Sequence, residues 1–269
     1  MLFTPALRRL TTLAIVSLLS ACAQSPIIKL DNGLAVDTSL NAVGQNSRVR
    51  QIVLHYTAGD TPTSLKVLSQ QDVSSHYLIT DDKTPVVYRL VEEERRAWHA
   101  GVSHWGEHRD LNTSSIGIEI VNAGRLADGQ WAPYSDAQIE TVIRLLQDLV
   151  QRHRITPDNI VGHSDIAPQR KTDPGPLFPW KRLAQAGLGR WYDPQTVAYY
   201  QQEFALALPS INTVQQQLAK LGYNVPTHGQ WDRATQNVLA AFQMHYRPSV
   251  YDGQLDAETA AILAALNQH

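Results

Sequence analysis

Cysteine is nearly absent from this chain of 269 residues. Cys22 is the single one, against 25 carboxylates and 10 histidines, so no disulfide can form within the chain. Long apolar runs are missing too. The mostly apolar stretch from Leu10 to Leu19 is too short for a membrane-spanning helix, which needs about 20 residues. An excess of one charge is also lacking. With 23 basic and 25 acidic side chains the formal net charge is −2, and no Lys/Arg cluster forms the footprint that nucleic acid requires. A nucleic-acid partner is therefore not expected, and the sequence implies no obligate protein partner.

The N-terminal residues read as an export signal. Arg8 and Arg9 precede the apolar stretch, as in a secretory signal peptide. The stretch closes on Leu19-Ser20-Ala21-Cys22, which resembles the lipobox of bacterial lipoproteins, where the cysteine is lipidated and becomes the first mature residue. Ordinary secretion with cleavage after Ala23 is the alternative, because Ala21-Cys22-Ala23 also fits an A-x-A site. Exported proteins usually pair their cysteines, so a lone one at the cleavage site is better explained as a lipid attachment point. In lipoproteins, Ala23 rather than Asp at the second mature position resembles the choice that sorts to the outer membrane. Residues 23–47 are polar and turn-rich and read as a tether with an early edge segment.

From Arg48 to about Gly187, strand-like and helix-like segments alternate, the pattern of an α/β domain. In "QIVLHYTAGD" the apolar run Ile52-Val53-Leu54 predicts a central strand that opens into a loop at His55. In "SSIGIEIVN" the residues Ile116, Ile118 and Ile120 share one face and Gly117, Glu119 and Val121 the other. A carboxylate inside so apolar a strand needs a partner. Ser135 and Gln138 form a capping box for a helix with Ile139, Val142, Ile143, Leu146, Leu149 and Val150 at helical spacing. The short strand Ile160-Val161 leads, like the first, to a histidine, His163.

Two strands thus end on histidines and a third carries Glu119. Gly162-His163-Ser164-Asp165-Ile166 is not a nucleophile elbow, because that turn needs Gly-x-Ser-x-Gly, and Cys22 falls at the signal. A metal site remains. A catalytic zinc takes three protein ligands and keeps one position open; His55 and His163 supply two, and Asp173 in the Pro-rich loop is the third candidate.

The segments "HYTAGD", "SSHYLIT", "AWHAG", "NTSSIGIEIVN" and "GHSDIAPQRKTDPGPLFPW" resemble the successive motifs of the zinc-dependent N-acetylmuramoyl-L-alanine amidases of the type-2 amidase family, which includes phage lysozyme-type amidases and peptidoglycan recognition proteins. With the lipobox and the tail, the chain resembles most the outer-membrane lipoprotein amidases of Gram-negative bacteria. The resemblance implies a mixed central β-sheet flanked by helices and one Zn²⁺ held by His55, His163 and Asp173. It also implies Glu119 as catalytic acid/base, Lys171 as catalytic lysine, and peptidoglycan and muropeptides as substrates. Lys171 and Asp173 lie two apart, so in an extended segment both project from one face. Four further residues are candidates for substrate contact. His76 could line the cleft or make a structural hydrogen bond; Trp98 and His99 could wall a groove, although Trp98 also suits a core; Asn112, like Ser115, could touch substrate or cap a loop. His104 and His108 read as solvent-facing loop residues.

The tail holds an internal repeat. Gly229-Gln230-Trp231-Asp232-x-x-Thr235 recurs as Gly253-Gln254-Leu255-Asp256-x-x-Thr259, each Asp a good N-cap. It resembles the small all-α, three-helix peptidoglycan-binding domain of cell-wall hydrolases, except at His228, where Asp is commoner and the first turn is open to alteration. Binding to the wall, or simple packing on the preceding domain, would both suit it. The expected organisation is a signal at 1–21, a tether at 22–47, a zinc amidase domain at 48–191, a linker at 192–209 and the helical domain at 210–269. The expected location is the periplasmic face of the outer membrane, lipid-anchored. A non-catalytic wall receptor and a zinc peptidase acting within the stem peptide are the competing readings.

Overall fold

The computed structural model describes residues 26–268. The export segment and Cys22 lie outside the described residues, among which no helix is long and apolar enough to cross a membrane. The chain divides into two compact units, residues 1–45 and 46–269. In the first, the segment read as a tether forms a hairpin, β1 (Ile27–Lys29) against β2 (Ala35–Asp37), closed by a turn in which Gly33 takes φ +85°.

The second unit is built on a five-stranded sheet of β3 (Gln51–Tyr56), β4 (Tyr77–Ile79), β5 (Val87–Arg89), β8 (Ser115–Ile120) and β9 (Ile160–Gly162) in the order β5-β4-β8-β3-β9. All neighbours are parallel except β4 and β5, which makes the sheet mixed, as expected. A two-stranded ribbon, β6 (His104–Trp105) with β7 (His108–Arg109), lies between β5 and β8 in sequence. Helix α1 (Thr61–Gln70) starts on Asp60, whose carboxylate accepts from Thr63 N, with Pro62 in the first turn; proline is pre-organised there.

Alternation along β3 and β8 assigns the two faces of the sheet. Ile52, Leu54, Ile116, Ile118 and Ile120 pack against Ile139, Val142, Leu146 and Leu149 of α2 (Asp136–His153). The predicted capping box of α2 forms, with Ser135 accepting from Gln138 N. Each of these fully buried aliphatic side chains contributes about 1.5–3 kcal/mol. Val53 and Val161 face the other way, into a core shared with the C-terminal helices, and the same face carries His55 and Glu119.

The remaining helices are α3 (His163–Ile166), α4 (Trp180–Gln185), α5 (Pro194–Phe204), α6 (Ile211–Leu221), α7 (Arg233–Tyr246) and α8 (Ala257–Leu266). Helix α5 occupies the stretch read as a linker. Its N-cap Asp193 accepts from Thr196 N, and Val197, Tyr200 and Phe204 pack into the C-terminal core, a partnership that the weak local pattern does not reveal.

The tail repeat has a structural meaning. Gln215 donates its amide to Gln230 O and Thr235 Oγ1 and accepts from Gly229 N; Gln243 does the same with Gln254 O, Thr259 Oγ1 and Gly253 N. Both glutamines are fully buried, so each clamps one copy of the turn, and Asp232 and Asp256 cap the helices that follow. The turn at His228 keeps its shape. His228 Nδ1 accepts from Gln230 N at 3.1 Å, as Asp252 Oδ1 accepts from Gln254 N at 2.9 Å, so an imidazole lone pair replaces the carboxylate.

This helical region does not stand apart. Trp105, Leu111, Val161 and Ile166 share one core with Val214, Leu218, Tyr223, Leu239 and Phe242. At the centre, the fully buried Asp165 accepts from Tyr223 Oη at 2.7 Å, from His245 Nδ1 at 2.8 Å and from Gly162 N at 2.7 Å. His245 is stacked on Trp180 at 3.8 Å.

Candidate metal centre and its cleft

Register brings the chemistry together. His55 pairs with Glu119 across β3 and β8, so both side chains leave the same face. Leu54 pairs with Gly162, which sets His163, the next residue, beside His55. Asp173 arrives from the loop after α3, where Ser164 N donates to its carbonyl. The three residues are buried, and His55 Nδ1, His163 Nδ1 and Asp173 Oδ2 form a triangle with sides of 3.0, 2.9 and 3.0 Å.

The outer hydrogen bonds decide which ring nitrogens carry protons. Ser115 donates its hydroxyl to Leu111 O at 2.5 Å, so its oxygen accepts from His99 Nε2 at 3.2 Å. His99 Nδ1 is then a lone pair and accepts from His55 Nε2 at 3.0 Å. His163 Nε2 likewise donates to Ala100 O at 3.2 Å. Both Nδ1 atoms therefore present lone pairs to a carboxylate oxygen. Burial, reinforced by His163, lowers the His55 pKa to about 4, so the His55 ring carries no second proton near neutral pH to relieve the repulsion. A cation does. The sides are a few tenths shorter than the face of a zinc tetrahedron with bonds of 2.0–2.1 Å, about 3.3 Å. The donor set fits such an ion, and a fixed tautomer at each histidine is what ligation requires.

Glu119 stands next to this triangle. Its Oε2 is buried without a hydrogen-bond partner. Burial first, then the Asp173 charge, push its pKa well above the usual carboxylate range, against the pull of Lys171. Lys171 and Asp173 line the same cleft, together with Tyr56, Trp98, Glu119, Arg170 and Thr172; its volume is about 470 Å³.

The four substrate-contact candidates separate. Trp98 is 56% exposed and walls the cleft. His99 reaches the cleft from beneath, and its ring lies over Gly117, where a Cβ would come within 2.4 Å of its Cγ. The gap left by Gly117 is thus filled by His99. His76 and Asn112 do not line the cleft. His76 accepts from Gly117 N and donates to Arg95 O, while Asn112 Oδ1 accepts from the His99 and Ala100 amides at 3.0 and 2.7 Å and fixes the loop beneath the site. Backbone thus engages both ring nitrogens of His76 and the amide oxygen of Asn112, which also lines a neighbouring cavity. His104, half-buried, bonds Gly106 O, and His108 is exposed. Arg170, which binds Ala100 O and Val102 O, and the Ser115–His99 relay escape sequence reasoning, since no local pattern signals such partners.

Two histidines at the ends of parallel strands and an aspartate from the following loop meet around one point, with an unpartnered carboxylate oxygen beside them, and form a candidate metal site on an α/β fold. Comparison with known proteins narrows it. Residues 45–176 match the family described as N-acetylmuramoyl-L-alanine amidase, and residues 208–263 that described as a putative peptidoglycan binding domain. The chain is 43% identical over 258 residues to N-acetylmuramoyl-L-alanine amidase AmiD of Escherichia coli K12, covering 93% of each. The solved structure of AmpDh3 from Pseudomonas aeruginosa is 44% identical with a TM-score of 0.82, over 87% of this chain and 98% of that one. The E. coli AmiD complex with anhydro-N-acetylmuramic acid-L-Ala-D-gamma-Glu-L-Lys gives 41% and 0.78, over 90% and 97%. The chain belongs to the N-acetylmuramoyl-L-alanine amidase family.

Proposed function

We propose that this chain hydrolyses the amide between the lactyl group of N-acetylmuramic acid and L-alanine of the stem peptide, in peptidoglycan and in muropeptides. The observation that carries the reading is the triangle of three lone-pair donors, His55, His163 and Asp173, with the unpartnered Glu119 carboxyl in the same cleft. The relatives support the substrate: AmiD is solved with an anhydromuramyl tripeptide described as its substrate, and AmpDh3 with an anhydromuramic pentapeptide.

His55, His163 and Asp173 would hold one Zn²⁺, which when bound lowers the pKa of its water from 15.7 to about 7 and polarises the amide carbonyl. Glu119 accepts the proton of the attacking water as the new C–O bond forms. It returns that proton to the alanine nitrogen as the C–N bond breaks, which leaves a lactyl carboxylic acid and a free amine. A carboxyl whose surroundings favour its neutral form is suited to the second half of that cycle. Lys171 stabilises the negative charge that develops on the carbonyl oxygen. Trp98 and His99 bound the space that orients the amide.

On this reading residues 48–191 are the zinc amidase domain and 210–269 the wall-binding helical domain, with 192–209 joining them. Residues 1–21 are a signal, Cys22 carries the lipid, and 22–47 tether the enzyme to the periplasmic face of the outer membrane. The test is mass spectrometry of muropeptide digests made by the mature protein with and without chelator, and by Glu119→Ala. Release of stem peptide starting at L-alanine, lost in both controls, is the expected result. Intact muropeptide overturns the reading in favour of a receptor, and cuts inside the peptide overturn it in favour of a peptidase.

A further inference from the structure

A muramoyl amide joins a sugar to a peptide, so a substrate seated at the metal centre must leave the cleft in two directions. The rim formed by residues 170–173 offers two chemically different exits. At one end Arg170 opens onto a second cavity of about 660 Å³, lined also by Arg96, Arg109 and Asp110, the last paired with Arg96 at 3.0 Å; guanidinium groups outnumber carboxylates there, which suits the carboxylates of a stem peptide. At the other end Thr172 Oγ1 meets Tyr56 Oη at 3.2 Å, and from there aromatic rings follow one another. The Tyr56 ring lies 6.2 Å from that of Trp131, and Trp131 lies 6.5 Å from Tyr251. Trp131 Nε1 donates to Tyr251 Oη at 2.9 Å, which joins the loop between β8 and α2 to the turn between α7 and α8.

The arc is built rather than incidental. Gly124 and Gly175 take φ +68° and +81°, and a Cβ at these sites would stand 2.8 Å from the Tyr56 ring and 3.0 Å from the indole of Trp131. Two bare stretches of backbone thus let the rings approach them closely, with Tyr56 tilted 55° to Trp131 and Trp131 76° to Tyr251. Tyr56 and Trp131 stay half-buried and Tyr251 is 38% exposed, so the rings keep open surface next to the reacting centre. Exposed, fixed aromatic rings joined to an active site mark a binding surface, and flat rings with a few hydroxyls match the apolar faces and polar rims of pyranose rings.

We propose that Tyr56, Trp131 and Tyr251 form a saccharide platform that carries the glycan strand of the wall from the metal centre onto the C-terminal helical domain. This rests on the amidase reading for the identity of the strand. The platform makes the enzyme one that engages polymer, because a strand held on both domains keeps successive muramoyl amides near the site.

The test uses a ligand the amidase cannot cleave: peptide-free glycan strands of alternating N-acetylglucosamine and N-acetylmuramic acid, titrated calorimetrically against the full mature protein. Wild type is expected to bind. Trp131→Ala and Tyr251→Ala should each weaken binding by tenfold or more (about 1.4 kcal/mol), whereas Tyr251→Phe, which keeps the ring, should stay within threefold. Affinity that does not respond to Trp131→Ala overturns the platform, and so does a loss confined to the free stem tripeptide, which would assign the arc to peptide. Because no hydrolysis is read, glycan binding that survives beside inactive protein would refute the amidase reading and leave the platform standing.

Discussion

Tyr223→Phe removes one oxygen and leaves a buried carboxylate oxygen without a donor. Asp165 is 0% exposed, and among the described residues its Oδ1 accepts from Tyr223 alone, while Oδ2 accepts from Gly162 N and His245 Nδ1. Burial, then the Asp165 charge, push the Tyr223 pKa well above the usual phenol value, so the phenol stays a proton donor at every working pH. Losing a hydrogen bond to a buried charged group costs about 2–3 kcal/mol. The phenyl ring is kept, so packing against Trp105 at 5.0 Å adds no cavity. For a unit of this size that loss corresponds to a fall of about 4–12 °C in Tm. Urea unfolding at pH 7 should show a lower midpoint with an unchanged slope. Asp165 also holds the amide of Gly162, one residue before His163, so chelator competition should show weaker zinc retention in the same variant. A Tyr223→Phe protein within 0.5 kcal/mol of wild type, with zinc held as tightly, would refute the claim that the helical domain braces the metal centre.

Other substitutions probe the remaining supports. His99→Ala removes the acceptor that fixes the His55 tautomer and should weaken zinc about 10–100-fold by chelator competition, with His99→Gln recovering part of the loss. Gly117→Ala places a methyl 2.4 Å from the His99 ring; the ring must move, and zinc affinity should fall at least tenfold while the far-UV spectrum is kept. Glu93 is bound by Arg152 at 2.6 Å, and that hydrogen bond, against the opposing effect of burial, lowers its pKa from 4.5 to about 2. A depressed carboxylate stabilises the fold above pH 4.5 and loses that contribution as pH falls towards 2. Arg152 is 43% exposed, so solvent screening leaves about 1 kcal/mol. Chelated wild type should lose that amount over this range relative to Glu93→Gln, and parallel acid titrations of the two would contradict the assignment.

Periodic and chain-local features were legible from the residues alone. The apolar run before His55, the alternation around Glu119 and the spacing of α2 all follow from burial of one face, a property of neighbouring residues. So do the N-caps at Ser135, Asp232 and Asp256, because a cap and the amide it serves lie three residues apart. His55, His163 and Asp173 could be chosen as ligands because few other residue types suit zinc. What the sequence could not determine depends on partners far along the chain. The relay from Leu111 through Ser115 and His99 to His55 exists only because β8 lies beside β3, and it leaves His55 Nδ1 a lone-pair donor, as the bond to Ala100 O does for His163. His76 and Asn112 carried the same chemical promise as His99, yet backbone groups absorbed them. Helix α5 has too weak a pattern to be found without the core it packs on. The helical domain bonds Asp165 through Tyr223 and His245, 58 and 80 residues away, and its Tyr251 meets Trp131 across 120. Local spacing encodes which side chains share a face; only chain folding decides which faces meet, and here that meeting sets the protonation of the ligands and the shape of the surface around them.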